Sequence, residues 1–162
     1  MQTLTHKTRL WNAFLILLTT LLLAACGPKT LFDHNEEVKN PWATTDPLLL
    51  QFEVTDSIQP YDIYLNIRHT TQYEYANLYL FIHSQLPTGE AFTDTVEVFL
   101  ADIKGQWLGS GLSKTKDLQI LYRESGRFPM KGKYLIKIEQ AMRNPQLEGI
   151  ESVGMRIQHS EL

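Results

Sequence analysis

Tyr61-Asp62-Ile63-Tyr64-Leu65-Asn66-Ile67-Arg68 alternates without a break. Successive side chains on an extended strand point to opposite faces, so Ile63, Leu65 and Ile67 fall on one side and Tyr64, Asn66 and Arg68 on the other. The same period of two recurs in both directions. Upstream, Leu48 to Val54 reads as a strand. Downstream, Leu78, Leu80 and Ile82 alternate with Tyr79, Phe81 and His83, and Val96, Val98 and Leu100 mark the inner face of a strand over 93–100. Three more alternating sets follow: Leu118, Ile120 and Tyr122, then Tyr134, Ile136 and Ile138, then Val153, Met155 and Ile157. Turn residues separate them, at Pro87-Thr88-Gly89, at Gly105, Gly109 and Gly111, at Pro129, and at Asn144-Pro145.

No stretch of ten or more residues keeps a helical period, and Glu139 to Arg143 is too short to stand as a helix alone. Alternation, as opposed to continuous apolar runs, predicts antiparallel sheets with one wet face. The expected fold is all-β: a single antiparallel two-sheet β-sandwich over residues 48–162, jelly-roll-like or immunoglobulin-like. Strand order is not written in periodicity, so the two topologies stay open, as does the oligomeric state.

The N-terminus carries a different signal. His6, Lys7 and Arg9 precede a mostly apolar 13-residue run from Trp11 to Leu23. That is short of the roughly 20 residues a membrane-crossing helix needs, and it fits the core of an export signal. Leu23-Ala24-Ala25-Cys26 has the form of a lipobox, and Cys26 is the one cysteine of the 162-residue chain. The expectation is a lipoprotein signal peptide over 1–25 that is removed, an acylated Cys26, and a tether over 26–47 holding the domain to a membrane. An acylated thiol is spent, so Cys26 is then no nucleophile, metal ligand or redox centre.

Charge bounds the partners. The chain has a formal net charge of −3, divided unevenly: 26–113 holds a balance of −8 and 114–143 one of +5. An acidic body excludes a general nucleic-acid binder. Within the basic stretch, Lys133 and Lys137 alternate against Tyr134, Ile136 and Ile138 and should point outward together. With Lys131 they form a row, spaced about 7 Å per two-residue step, that an acidic protein partner can read.

Catalytic chemistry is hard to find. His34, His69, His83 and His159 stand in no spacing used by metal sites, and each reads as a surface or rim residue. There is no Gly-x-Ser-x-Gly elbow. Gly109-Ser110-Gly111 opens no helix; it reads as a bend that lets backbone approach closely. Asp94 and Glu97 lie an odd number of residues apart, so a strand points them to opposite faces and they form no acid pair. Trp107 is expected to plug the core at the glycine-rich corner, and Trp42, within the tether, to matter less. Exposed aromatics would instead suit a carbohydrate- or peptidoglycan-binding sandwich, which is the alternative function.

Taken in order, several segments resemble one known family. They are the lipobox; Phe52-Glu53-Val54; Tyr61 through Arg68; Asn77-Leu78-Tyr79-Leu80; Pro87-Thr88-Gly89; Asp94-Thr95-Val96-Glu97 through Leu100-Ala101-Asp102; Gly105-Gln106-Trp107-Leu108-Gly109-Ser110-Gly111; Gln140-Ala141-Met142-Arg143; and Gly149-Ile150 leading to Val153-Gly154-Met155-Arg156-Ile157. The order resembles the gliding motility lipoprotein GldH family of the Bacteroidetes, over nearly the whole chain after Cys26. The resemblance implies a non-enzymatic cell-envelope lipoprotein, an accessory of gliding motility and the type IX secretion linked to it, acting through contacts with other envelope proteins. It implies no cofactor and no catalytic residues. Surface-exported lipoproteins of these bacteria tend to carry acids directly after the cysteine. Here the nearest is Asp33, which favours an outer-membrane anchor facing the periplasm. Arg143 and Arg156 are expected near the ends of adjacent late strands, within reach of Asp94 or Asp102.

Overall fold

The computed structural model describes Trp11 and residues 29–111 and 113–161. The export signal, apart from Trp11, and Cys26 lie outside the described residues. Ten strands run in order: β1 (Thr30–Glu37), β2 (Trp42–Ala43), β3 (Leu48–Val54), β4 (Tyr61–Thr70), β5 (Asn77–Gln85), β6 (Ala91–Phe99), β7 (Thr115–Gly126), β8 (Gly132–Gln140), β9 (Gln146–Leu147) and β10 (Ile150–His159). They build two four-stranded antiparallel sheets, β1-β10-β4-β7 and β3-β8-β5-β6, plus the short ribbon β2-β9. The two sheets pack face to face, as the alternation predicts.

The core is made from the predicted inner faces. Leu65, Ile67, Val153, Met155 and Ile157 come from one sheet, and Leu50, Leu78, Leu80, Ile82, Ile136 and Ile138 from the other; all are buried. Burying each such side chain contributes about 1.5–3 kcal/mol, and this apolar term is what the period of two encodes. Only β5 and β6 neighbour each other both in sequence and in a sheet. The other connections between long strands cross from one sheet to the other, over the ends or the flanks of the sandwich.

Two expectations need correction. The segment 26–47 is not all tether. β1 pairs with β10 from Thr30↔Gln158 to Glu37↔Ser152, and Trp42 pairs with Leu147 in the β2-β9 ribbon and is 0% exposed. Its indole Nε1 donates to the Asp46 carbonyl at 2.8 Å, which satisfies the one polar atom it buries. His69 is likewise no surface residue: it is fully buried, beside the Trp107 ring at 4.8 Å between centroids.

The two flanks of the sandwich close differently. Where β1 and β3 face each other, Phe32 lies 5.4 Å from Phe52, which stacks on Tyr134 at 5.6 Å, with Phe128 on both. Where β6 and β7 face each other, polar side chains span the gap.

Candidate partner surfaces

Lys133 and Lys137 lie on the outer face of β8, and Lys131 in the bend just before it. Lys131 and Lys133 are exposed and Lys137 is half-buried. Lys133 stands opposite Glu53 of β3, with the exposed Leu135 between the two strand lysines. Lys137 donates to Glu139 at 3.2 Å, and the other oxygen of that carboxylate lies 2.6 Å from His83 Nε2. His83 Nδ1 lies 2.7 Å from the Thr93 hydroxyl. Burial pushes Glu139 up, but the hydrogen bonds from Lys137 and His83 outweigh it and hold the carboxyl below its ordinary value. The row is therefore partly spent on carboxylates of its own sheet.

The outer face of the other sheet is a polar trough. Asn35, Gly154, Asn66 and Gln119 stand side by side across β1, β10, β4 and β7. Gly154 has no side chain, so the amides on either side meet above it: Asn66 Nδ2 donates to Asn35 Oδ1 at 3.0 Å, and Gln119 Nε2 donates to Asn66 Oδ1 at 2.7 Å. A Cβ on Gly154 would collide with the Asn35 side chain and the His34 carbonyl. Beside this row, Arg68 makes a two-pronged bond to Asp117 at 2.6 and 3.2 Å. The depression over these groups measures about 640 Å³.

The β6 and β7 flank carries the third surface. The Asp94 carboxylate receives the Tyr122 hydroxyl and, at 3.2 Å, the Arg123 guanidinium. Arg123 also lies 5.6 Å from the Tyr122 ring centre. Burial, then the bond to Asp94, pushes the Tyr122 phenol up to about 12. Asp94 thus pairs with Arg123. The expected arginines are elsewhere: Arg156 reaches Asp33 at 3.3 Å, and Asp102 accepts the backbone N–H groups of Lys104 and Gln106 at 2.8 Å each. Beneath the Asp94 bridge, an apolar crevice of about 90 Å³ opens between the sheets, lined by Phe92, Leu86, Ile63, Tyr122 and Phe128 among others.

The glycine-rich corner links β6 to β7. Ser110 exchanges two backbone hydrogen bonds with Asp117, at 2.9 and 2.8 Å, and so covers the start of the β7 edge. Gly109 and Gly111 have φ of +87° and +145°, and a Cβ on either would strike a β7 carbonyl oxygen. The close approach read from Gly109-Ser110-Gly111 is thus backbone lying on backbone. Trp107 is half-buried, packed on the core through His69 and not plugged into it. The buried tryptophan is Trp42, which reverses the expected ranking. At the same end, Tyr75, Tyr79, Met142 and Arg143 line a shallow hollow, and the Tyr79 N–H points at Met142 Sδ at 3.3 Å. Among the described residues, no three His, Cys, Asp or Glu side chains gather as a metal site would need.

Comparison with known proteins agrees over the same span. The family model described as GldH lipoprotein matches residues 30–157, from the first strand to the last. A protein of Christiangramia forsetii named gliding motility lipoprotein GldH homolog is 32% identical over 158 residues, covering 93% of this chain and 97% of the relative. The gliding motility lipoprotein GldH of Flavobacterium johnsoniae is 32% identical over 160 residues, covering 94% and 99%. Among solved structures, the VP2 subviral particle of infectious bursal disease virus matches with a TM-score of 0.33 at 11% identity, over 83% of this chain and 31% of that one, a likeness that carries no argument. The matched stretch takes in both sheets, the amide row over Gly154 and the glycine-rich corner, and on it the chain belongs to the GldH lipoprotein family.

Proposed function

We propose that this chain is a lipid-anchored envelope component of the gliding-motility apparatus, fixed through Cys26 to the periplasmic face of the outer membrane and acting by contact with other envelope proteins, type IX secretion components among them, without catalysis. The carrying observation is the near full-length identity to two relatives named for gliding motility. Two features support it. Leu23-Ala24-Ala25-Cys26 supplies an acylation site. The polar groups on both outer faces link neighbouring strands, through the amide row and Arg68–Asp117 on one and His83–Glu139 on the other, a pattern that stiffens a binding scaffold. Cys26→Ser tests the anchor: fatty-acid labelling and membrane retention should both disappear, and a variant that keeps them sinks the assignment. Replacing the native gene with a deletion and scoring spreading and adhesin secretion tests the role.

A second reading, glycan or peptidoglycan binding, draws on the polar trough over Gly154. Amides in a row suit sugar hydroxyls, but here they spend donors and acceptors on one another. Titration with soluble peptidoglycan fragments, followed through the Asn66 and Gln119 side-chain amide resonances, distinguishes the two. Shifts confined to those amides support the glycan reading.

A further inference from the structure

We propose that the β6 edge is a docking site for an extended segment of another envelope protein, which adds as a fifth strand and places an apolar side chain in the crevice beneath the Asp94–Tyr122 bridge. The inference rests on the protein-contact reading above and names the surface that carries it.

Four strands lie at the edges of the two four-stranded sheets, and three are bulged, flanked or covered in part. β1 is bulged between Thr30 and Phe32 and packs against β3 through Phe32 and Phe52. β3 is as regular as β6, with no proline, lysine or glycine and unbroken pairing to β8, but β1 flanks it, with Phe32 of β1 packed on Phe52. β7 is covered at its start by Ser110 and has irregular register beside Ile63. Natural sheets use such devices to stop unwanted strand addition. β6 keeps one such device, the inward-pointing Asp94 held by Tyr122 and Arg123, but it has no bulge and no segment bonded along its edge among the described residues. Ala91-Phe92-Thr93-Asp94-Thr95-Val96-Glu97-Val98-Phe99 contains no proline, lysine or glycine, and it pairs with β5 over nine residues in unbroken register.

The unpaired groups can be named. Leu86 N–H bonds Glu90 O, and Leu100 N–H bonds Ala76 O. In an antiparallel ladder the hydrogen-bonded pairs alternate, so the even-numbered residues between these limits point their N–H and C=O groups at β5. Thr93, Thr95 and Glu97 point theirs away from the sheet. No backbone hydrogen bond outside the β5 ladder reaches β6 among the described residues. An extended peptide can satisfy these groups by strand addition, where main-chain bonds give affinity and side-chain pockets give specificity.

The pocket lies beside this edge. Phe92, on the inner face, is 45% exposed and forms one wall of the crevice. Its volume is below the about 150 Å³ apolar cavity that takes up benzene, so it suits a branched aliphatic side chain better than a ring. At the other end of the strand Phe99 is 60% exposed.

Charge selects the occupant. β6 carries Asp94 and Glu97 and no base, with Glu90 just before it. Glu97 receives the Asn77 amide at 2.6 Å, and no cation pairs with it among the described residues. A second copy would bring the same acids to the seam. A strand from another protein, with a Lys or Arg near Glu97 and aliphatic residues on the alternate positions, removes that repulsion.

The test uses the full-length lipoprotein in its native membrane, with a photo-crosslinking benzoylphenylalanine at Phe99, which leaves Glu97 in place, at Lys133 or at Gln119. Thr95→Pro removes an outward N–H that β5 does not use; Thr95→Val keeps it. Expected is a Phe99 adduct on one short segment of another envelope protein, identified by mass spectrometry, kept in Thr95→Val and reduced about ten-fold in Thr95→Pro, as loss of an edge hydrogen bond and its neighbour's alignment requires. Phe92→Ser, which empties one crevice wall and leaves the β5 ladder intact, should reduce the same adduct whatever the stability of the proline variant. A Phe99 adduct indifferent to both changes overturns the proposal. So does an adduct on β6 of a second copy. Adducts at Lys133 or Gln119 alone overturn the edge and leave the protein-contact reading standing. Adducts at no position overturn both.

Discussion

Each flank of this sandwich is crossed by a connection that carries one tryptophan, and the two flanks have opposite chemistry. Between β1 and β3 the crossing segment buries Trp42 completely, and Phe32, Phe52, Phe128, Tyr61 and Tyr134 form a continuous aromatic seam. Between β6 and β7 the crossing segment leaves Trp107 half-buried, and the gap is bridged by Asp94, Tyr122 and Arg123. Apolar closure of one flank supplies stability by removing area from water. Polar closure of the other holds the sheets in register while leaving an edge and a crevice open. The comparison teaches that a two-sheet fold can concentrate its stability on one side and its accessibility on the other.

The largest effect should come from the closed flank. Trp42→Ala empties a fully buried site and should cost about 3–5 kcal/mol in chemical denaturation. Trp107→Ala removes a ring that water already reaches, and should cost about 2 kcal/mol or less. If Trp107 proves the costlier, the contrast between the flanks is wrong. Tyr122→Phe deletes one hydrogen bond to Asp94 and keeps the ring; about 1 kcal/mol is expected, and a loss as large as that of Trp42→Ala would make the open flank a stability element after all.

The smallest effect is acid sensitivity beneath Trp107. Burial holds His69 below its ordinary value: Nδ1 lies 3.0 Å from the Thr70 carbonyl, and Nε2 is buried without a hydrogen-bond partner among the described residues. The unfolded chain therefore binds a proton that the folded chain refuses, so stability falls as pH drops below about 6.5, the ordinary histidine value. Melting temperatures between pH 7.5 and 5.5 should decline less steeply in His69→Leu than in the unchanged protein. Equal slopes would remove His69 as a source of acid lability.

Seven of the long strands were legible because each buries one face against the opposite sheet, so an apolar residue recurs every second position. β1 was not. It is an edge strand with acids on its exposed side, and its bulge between Thr30 and Phe32 breaks the alternation within three residues. β2 and β9 are two residues long, too short for any period. The glycine-rich corner was legible because closely spaced glycines without a helix leave few uses other than close backbone approach. The bridge across the open flank was not, since Asp94 and Tyr122 lie 28 residues apart on strands of different sheets, and no local pattern couples two edges. The lysine row was visible as a row, but its place opposite Glu53 and the hold of His83 on Glu139 depend on which strands flank β8.

The early start of β1 has a mechanical consequence. Thr30 is four residues beyond Cys26, and four extended residues span at most about 14 Å. If Cys26 is acylated as proposed above, the domain is on a short leash, and the end that holds Thr30, Tyr61, Gly126 and His159 is the end nearest the headgroups. A ten-residue strand such as β4 rises only about 33 Å, so even the loops bearing Trp42 and Trp107 stay within about 50 Å of the lipid surface. β6 starts near the leashed end and runs away from it. On that anchor the proposed docking edge would face sideways, toward neighbours in the same bilayer. Encounters there would take place in two dimensions, where shared anchorage raises effective concentration and a weak strand-to-strand contact is enough to hold.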